Sequence, residues 1–166
     1  MRPEPILDPS TIDFSQCVAD LATIQSINPH RYEFQQLDAV VYLDITTHIL
    51  VGYKDLSLNE FWVRGHMPGY PVMPGVLMCE AAAQLCSFYT TYARVIDNKI
   101  LGLGGFDECA FRAQVKPGDR LTLMAKGVKI SRRQCIYDVQ GFVGTTMVFH
   151  GKINGMPIAS REVTES

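Results

Sequence analysis

The sequence predicts an α+β protein with a mainly antiparallel sheet. Residues 75–96 are nearly apolar on every side, which is typical of a helix that its neighbours bury. The segments before and after this helix are rich in Val, Ile, Leu and Tyr and partly alternate in polarity, which is typical of strands. A run of strands around one long buried helix indicates this fold class.

Residues 1–23 are predicted to be an N-terminal extension with a short helix, ahead of a single domain at 24–166. Residues 1–12 carry three prolines and are expected to run extended over the surface. Apolar residues between Phe14 and Ile27 follow helical spacing. Asp13 is the expected cap of this helix, and Asn28-Pro29 is expected to end it.

Strands are predicted at 38–45, 48–58, 99–106, 108–115, 120–132, 134–143, 145–153 and 156–163. Residues 116–119 read KPGD, which predicts a turn between two of them. Asn154-Gly155 between apolar runs predicts a type I′ hairpin.

Composition excludes several function classes. With 166 residues and a net charge of -2, the chain is one ordinary domain without the basic excess of a nucleic-acid binder. Its five cysteines include no CxxC pair, which argues against a disulfide framework and a zinc knuckle. Neither a signal peptide nor an apolar run long enough for a membrane span is visible. We therefore expect a cytoplasmic protein that needs no metal or redox cofactor.

Two polar residues stand out as candidate catalytic groups. His66 lies in a segment so rich in Pro and Gly, residues 65–75, that only a loop fits there. Glu80 interrupts the apolar helix, where burial would favour its protonated form. A neutral imidazole accepts a proton and a protonated carboxyl donates one, as general base and general acid do. The plainer interpretations are a surface or turn His and a snorkelling or paired Glu.

The start of this helix is a candidate oxyanion site. Pro74 fits the first helical position, and the N–H groups of Gly75 and Val76 would point beyond the helix end. Gly75 would let a carbonyl approach the backbone closely. His30, His48 and His150 have no evident partners and are expected to be structural.

Several motifs of the sequence resemble those of the 3-hydroxyacyl-acyl carrier protein dehydratases of the FabZ type. The central motif is GHMPGYPVMPGVL at residues 65–77, followed by EAAAQ at 80–84. Further similar motifs are NPHRYEF at 28–34, LGGFD at 103–107 and VKPGD at 115–119. The resemblance covers roughly residues 24–160.

The resemblance implies a hotdog fold, in which an antiparallel sheet wraps a long helix, and a homodimer or a trimer of dimers. It implies an active site at the dimer interface, with His66 as base from one subunit and Glu80 as acid from the other. Gly75 or Val76 would bind the thioester carbonyl, and Gln84 would orient Glu80. The implied reaction is dehydration of a 3-hydroxyacyl thioester, carried by acyl carrier protein or CoA, to the trans-2-enoyl thioester in fatty acid biosynthesis or related lipid metabolism.

Two departures from the family pattern are visible. Glu33 stands where the family has Pro, and Asn59-Glu60-Phe61-Trp62-Val63 replaces its usual NEPFF. These changes bear on chain length and carrier more than on the chemistry.

Other functions remain open. An acyl-thioester hydrolase on the same fold would share the helix-end site without needing a His opposite a Glu. A non-catalytic acyl-thioester-binding protein would not need to keep both. A basic stripe is either a solvated strand face or a dock for an acidic carrier protein; its members are Lys126, Lys129, Arg132 and Arg133.

Overall fold

The computed structural model of the chain describes residues 2–160. It contains one six-stranded antiparallel sheet and one long helix, which confirms the predicted fold class. The strands are β1 (Ala39–Asp44), β2 (Ile49–Asp55), β3 (Lys99–Phe111), β4 (Arg120–Ile130), β5 (Cys135–Val143) and β6 (Thr146–Ser160), and their order in the sheet is β1-β2-β4-β5-β6-β3. The helices are α1 (Leu21–Ile27) and α2 (Gly75–Tyr92).

The core lies between the inner face of the sheet and α2. The helix packs against strands β2 to β6 through side chains that are fully buried. Leu85, Phe88 and Tyr89 are the largest of these on the helix, and they meet Leu123 and Tyr137 of the sheet in one apolar cluster. Burying side chains of this size stabilises the fold by about 1.5–3 kcal/mol each. These contacts bury α2 on all sides but one.

The segment before the sheet is less helical than predicted. Helix α1 begins at Leu21, and its N-cap is Asp20 rather than Asp13. Val18 and Ala19 instead pair with the backbone of Val40 at the edge of the sheet. These residues therefore pair with the sheet and do not form a helix, although their apolar spacing is helical.

The N-terminal segment covers the outer face of the sheet, as expected of an extended lead-in. Ile6, Leu7 and Ile12 pack on a second apolar cluster; its members are Val41, Val51, Met124, Phe142 and Met147. The buried Gln140 amide fixes the segment by accepting from the Ile6 N–H and donating to the Glu4 carbonyl, both at 2.8 Å.

The predicted hairpin at Asn154-Gly155 is wrong. Strand β6 runs through both residues, and each pairs with β3 on one side and β5 on the other. A Cβ atom at Gly155 would lie 2.8 Å from the side chain of Leu101. This glycine therefore permits a close approach between strands and does not form a turn. The part of this prediction at 161–163 lies outside the described residues.

Other boundaries also differ. The strand predicted at 99–106 and the first half of that predicted at 108–115 form one strand, β3, which ends at Phe111. Its register is irregular between Asp107 and Ala110, and Glu108 has a positive φ. A bulge bends such a strand without ending it. Helix α2 ends at Tyr92, four residues earlier than predicted, where Arg94 takes a left-handed conformation. The turn predicted at 116–119 is confirmed by the hydrogen bond from Asp119 N–H to Lys116 O.

Candidate active site

The loop that leads into α2 fixes the orientation of the His66 ring. The His66 N–H donates to the Trp62 carbonyl at 2.7 Å, and the Val72 N–H donates to the His66 carbonyl at 3.2 Å. The ring nitrogen Nδ1 lies 2.8 Å from the Val72 carbonyl oxygen. Because a carbonyl can only accept, Nδ1 carries the proton of the neutral ring. Nε2 then has a free lone pair, as a general base requires.

His66 lines a cavity of about 380 Å³ at the start of α2. Gly75, Val76, Met78 and Phe111 line the same cavity, which is largely apolar. The structure therefore brings three of the predicted site residues, His66, Gly75 and Val76, to one place.

The helix start offers two free backbone donors, as predicted, although Pro74 is the N-cap and not the first helical residue. The N–H groups of Leu77 and Met78 donate to the Pro74 carbonyl. Those of Gly75 and Val76 have no hydrogen-bond partner among residues 2–160. Both donors lie at the positive end of the helix dipole, which favours an oxygen that gains negative charge.

Packing also requires a glycine at position 75, which the sequence did not reveal. A Cβ atom here would lie 2.8 Å from the ring of Phe111, on strand β3. The half-exposed Phe111 ring therefore lies directly against the backbone that would bind a carbonyl.

Glu80 lies in α2, about 1.4 turns beyond the helix start at Gly75, and does not line the cavity of His66. Its side chain is 23% exposed. The buried Gln84 amide donates to Glu80 Oε1 at 2.8 Å and to the Phe34 carbonyl at 2.6 Å. The same amide accepts from the Gln36 N–H at 2.9 Å. Gln84 is thus placed to orient Glu80, as its position one turn along the helix implies.

Glu80 belongs to a stripe of α2 that residues 2–160 leave uncovered. Val76, Cys79, Glu80 and Ala83 recur at helical spacing, and none of them is fully buried. Val76 is 72% exposed. Strand β3 is an edge strand of 13 residues with further exposed apolar side chains at Leu103 and Phe111. Within the described part of one chain, both an apolar helix stripe and a long sheet edge are therefore open.

His30 is the neighbour of Glu80 that the sequence analysis missed. Its Nε2 atom lies 3.5 Å from Glu80 Oε1, although 50 residues separate the two in the chain. The Asn28 amide donates to the Gln84 carbonyl, one turn from Glu80, and so brings the His30 loop to α2 through a contact that no local sequence pattern shows.

The two departures from the family pattern lie side by side. Glu33, Asn59, Glu60 and Phe61 line one cavity of about 580 Å³ together with Lys54. The Lys54 ammonium lies 3.7 Å from the Glu60 carboxylate.

The basic stripe lies away from the helix start. Arg132 lines a cavity with Ile96, Asp97 and Lys99, beyond the C-terminal end of α2. A helix of 18 residues is about 27 Å long, so a carrier bound at Arg132 would lie roughly that far from the cavity of His66. Only Arg132 is placed by this distance, so both interpretations of the stripe stay predictions.

The five cysteines are free thiols. No group of three or more His, Cys, Asp or Glu side chains among residues 2–160 is arranged to hold a metal ion. No helix in the same range has the length and hydropathy that crossing a bilayer would need.

Solved structures confirm the fold. The dehydratase heterocomplex ApeI:P from Xenorhabdus doucetiae superimposes with a TM-score of 0.71 at 13% identity, over 82% of this chain and 91% of that one. A hypothetical thioesterase protein with coenzyme A from Streptococcus pneumoniae gives a TM-score of 0.57 at 12% identity, over 83% and 93% of the two chains. At these identities the likeness shows the hotdog fold alone.

Sequence comparisons identify the family. The FabA-like domain family matches residues 28–152. The 3-hydroxyacyl-[acyl-carrier-protein] dehydratase FabZ of Chlamydia trachomatis serovar L2 is 37% identical over 139 residues, which cover 82% of this chain and 91% of that protein. The FabZ proteins of serovars L2b and D match equally well. The chain therefore belongs to the FabA-like family and is similar to its FabZ-type dehydratases.

Proposed function

We propose that the chain is a 3-hydroxyacyl thioester dehydratase, with acyl carrier protein as the carrier of its substrate. The observation that carries the proposal is the 2.8 Å contact between His66 Nδ1 and the Val72 carbonyl, which makes Nε2 the acceptor of the neutral ring in a residue that lines the cavity at the helix start. The similarity to curated FabZ dehydratases supports the substrate class.

The thioester carbonyl would bind at the N–H groups of Gly75 and Val76. Two donors at a helix start stabilise the negative charge that this oxygen gains when a proton leaves C2. The largely apolar lining, including Met78 and Phe111, suits the acyl chain.

His66 would remove that C2 proton, and Glu80 would protonate the 3-hydroxyl. The C2–H electron pair forms the new double bond, the C3–O bond breaks, and the oxygen leaves as water with the proton of Glu80. His66 ends with the proton from C2, and the product is the trans-2-enoyl thioester. General acid and base groups each contribute about 10²–10⁴ in rate.

A homodimer would bring the two halves of this site together. Glu80 does not line the cavity of His66 in its own chain, and it lies on the uncovered stripe of α2. A second copy that pairs along β3 would satisfy the open sheet edge and cover this stripe. His66 of one protomer would then face Glu80 of the other. A trimer of such dimers is the larger assembly that the family resemblance implies.

Turnover of 3-hydroxyacyl thioesters by His66→Ala and Glu80→Gln tests the proposal. Both variants should keep the oligomeric mass of the wild type and lose dehydration of 3-hydroxyacyl substrates on carrier protein and on CoA. Near-wild-type turnover by either variant would contradict the assignment. Release of free thiol without enoyl product would instead identify a thioester hydrolase, the second candidate that the fold allows.

A further inference from the structure

His30 contacts the proposed acid through a loop that the backbone holds in place. The Arg31 guanidinium donates to the carbonyls of Gln25, Asn28 and His30 at 2.7–2.8 Å. The Asn28 amide donates to the Gln84 carbonyl on α2 at 2.9 Å. These bonds tie the loop both to the end of α1 and to the helix that carries Glu80. The position of the His30 ring beside Glu80 is therefore built into the fold.

The surroundings of His30 favour its neutral form. Burial lowers the pKa of His30; the negative charge of Glu80 opposes this shift, and the positive charge of Arg31 adds to it. The buried Nδ1 atom has no hydrogen-bond partner among residues 2–160. A neutral ring with its proton on Nε2 leaves Nδ1 as an acceptor and directs a donor at Glu80 Oε1.

Two donors then converge on one oxygen of the acid. Gln84 Nε2 lies 2.8 Å from Glu80 Oε1, and His30 Nε2 lies 3.5 Å from the same atom. Glu80 Oε2 has no hydrogen bond to any of residues 2–160. Because Oε1 accepts the hydrogen bond from Gln84 and faces His30 Nε2, Oε2 is the oxygen that remains to carry a carboxyl proton.

We propose that His30 is a positioning residue for Glu80, which together with Gln84 holds Oε1 as the acceptor and leaves Oε2 to carry the proton for the leaving hydroxyl. This inference rests on the proposed function. In each turnover the proton passes from Oε2 to the hydroxyl oxygen, and His30 itself neither gains nor loses a proton.

Two amide substitutions separate this role from simple packing. The amide nitrogen of His30→Gln reaches the place of Nε2, whereas that of His30→Asn reaches only the place of Nδ1. We expect His30→Gln to retain a kcat close to the wild type. His30→Asn should lose about 10- to 100-fold in kcat with little change in KM, because the acid is no longer held in place. His150→Gln is the matched control, since His150 lies on the sheet and contacts Arg112, away from Glu80.

The assay is dehydration of a 3-hydroxyacyl thioester, with thermal unfolding recorded for every variant. If His30→Asn does not fold, His30→Phe replaces it, since Phe keeps the volume of the ring without a donor. A wild-type kcat for the variant without the donor would overturn the inference, as would an equal loss in His30→Gln or a change confined to KM. Glu80→Gln distinguishes the two proposals. If this variant turns over like the wild type, the proposed function fails. If it is inactive while the His30 variants keep the wild-type kcat, only the role of His30 fails.

Discussion

Gln84→Met is expected to lower both the stability of the protein and its turnover. The Gln84 side chain is fully buried in α2, and its amide joins the Gln36 N–H, the Phe34 carbonyl and Glu80 Oε1. Methionine has a similar length and volume but no polar group for these three partners. The substitution therefore leaves a backbone donor and a backbone acceptor without their hydrogen bonds, and it leaves the proposed acid without its shortest contact.

The structure sets the size of the stability loss. The Gln36 N–H is buried, so losing its acceptor costs about 1–3 kcal/mol. The Phe34 carbonyl belongs to a residue that is 55% exposed, so water can replace the lost donor and the cost there is about 1 kcal/mol. Together these terms lower the free energy of unfolding by about 2–4 kcal/mol.

Gln140→Met is the matched control. Gln140 is also buried, and its amide also joins one backbone N–H and one backbone carbonyl, those of Ile6 and Glu4. It lies on the outer face of the sheet, away from Glu80. We expect a loss of stability from this variant and a wild-type kcat, whereas Gln84→Met should lose both.

Urea denaturation at one protomer concentration measures the first effect, and turnover at a temperature where both variants are folded measures the second. A stability change below about 0.5 kcal/mol in Gln84→Met would refute the reasoning from its buried partners. Equal kcat values for the two variants would refute the role of Gln84 in orienting Glu80.

Three further predictions concern the rest of the chain. Deleting residues 1–13 uncovers the apolar outer face of the sheet and should raise the mass in light scattering; an unchanged mass would show that this face needs no cover. Burial lowers the pKa of His30 below its ordinary value of 6.5. As the pH falls through 6.5, the unfolded chain therefore binds more protons than the folded chain, and the free energy of unfolding decreases. The Tm should differ less between about pH 8 and about pH 5.5 in His30→Gln than in the wild type. Equal Tm differences in the two proteins would show that His30 is not the cause of the pH dependence. Burial raises the pKa of Cys79 to about 12 and that of Cys86 well above 9.0, so iodoacetamide should label exposed Cys17 first, as peptide mass spectrometry can check. Equal labelling of Cys79 and Cys17 would contradict this.

The elements that depend on local pattern could be predicted from the sequence. An apolar run on all sides of a helix requires burial in the protein or in a membrane, and this run is too broken for a membrane span; α2 begins at the predicted residue. The density of Pro and Gly at 65–75 likewise allows only a loop. The hairpin at Asn154-Gly155 failed because a glycine serves a turn and a close approach equally well, and only the position of Leu101 on the neighbouring strand distinguishes them.

The predicted site residues could be proposed only as separate pieces. His66 and Glu80 are unusual in their own segments, so each is visible without a structure. His30 is not, because its surroundings are ordinary and its partner is 50 residues away. Contacts of this range depend on the path of the loop after α1, which Arg31 fixes through three backbone carbonyls and no sequence pattern reveals.

The position of Glu80 connects the fold to the proposed chemistry. A carboxyl on a helix that is otherwise buried must face either water or a partner. In one chain Glu80 is 23% exposed, on a stripe that begins with Val76 at 72% exposed. Water alone would not favour an apolar stripe beside an open sheet edge, whereas a second copy would cover both. The same contact would bring the carboxyl into the interface between two protomers. Association and acid catalysis would then have one structural cause.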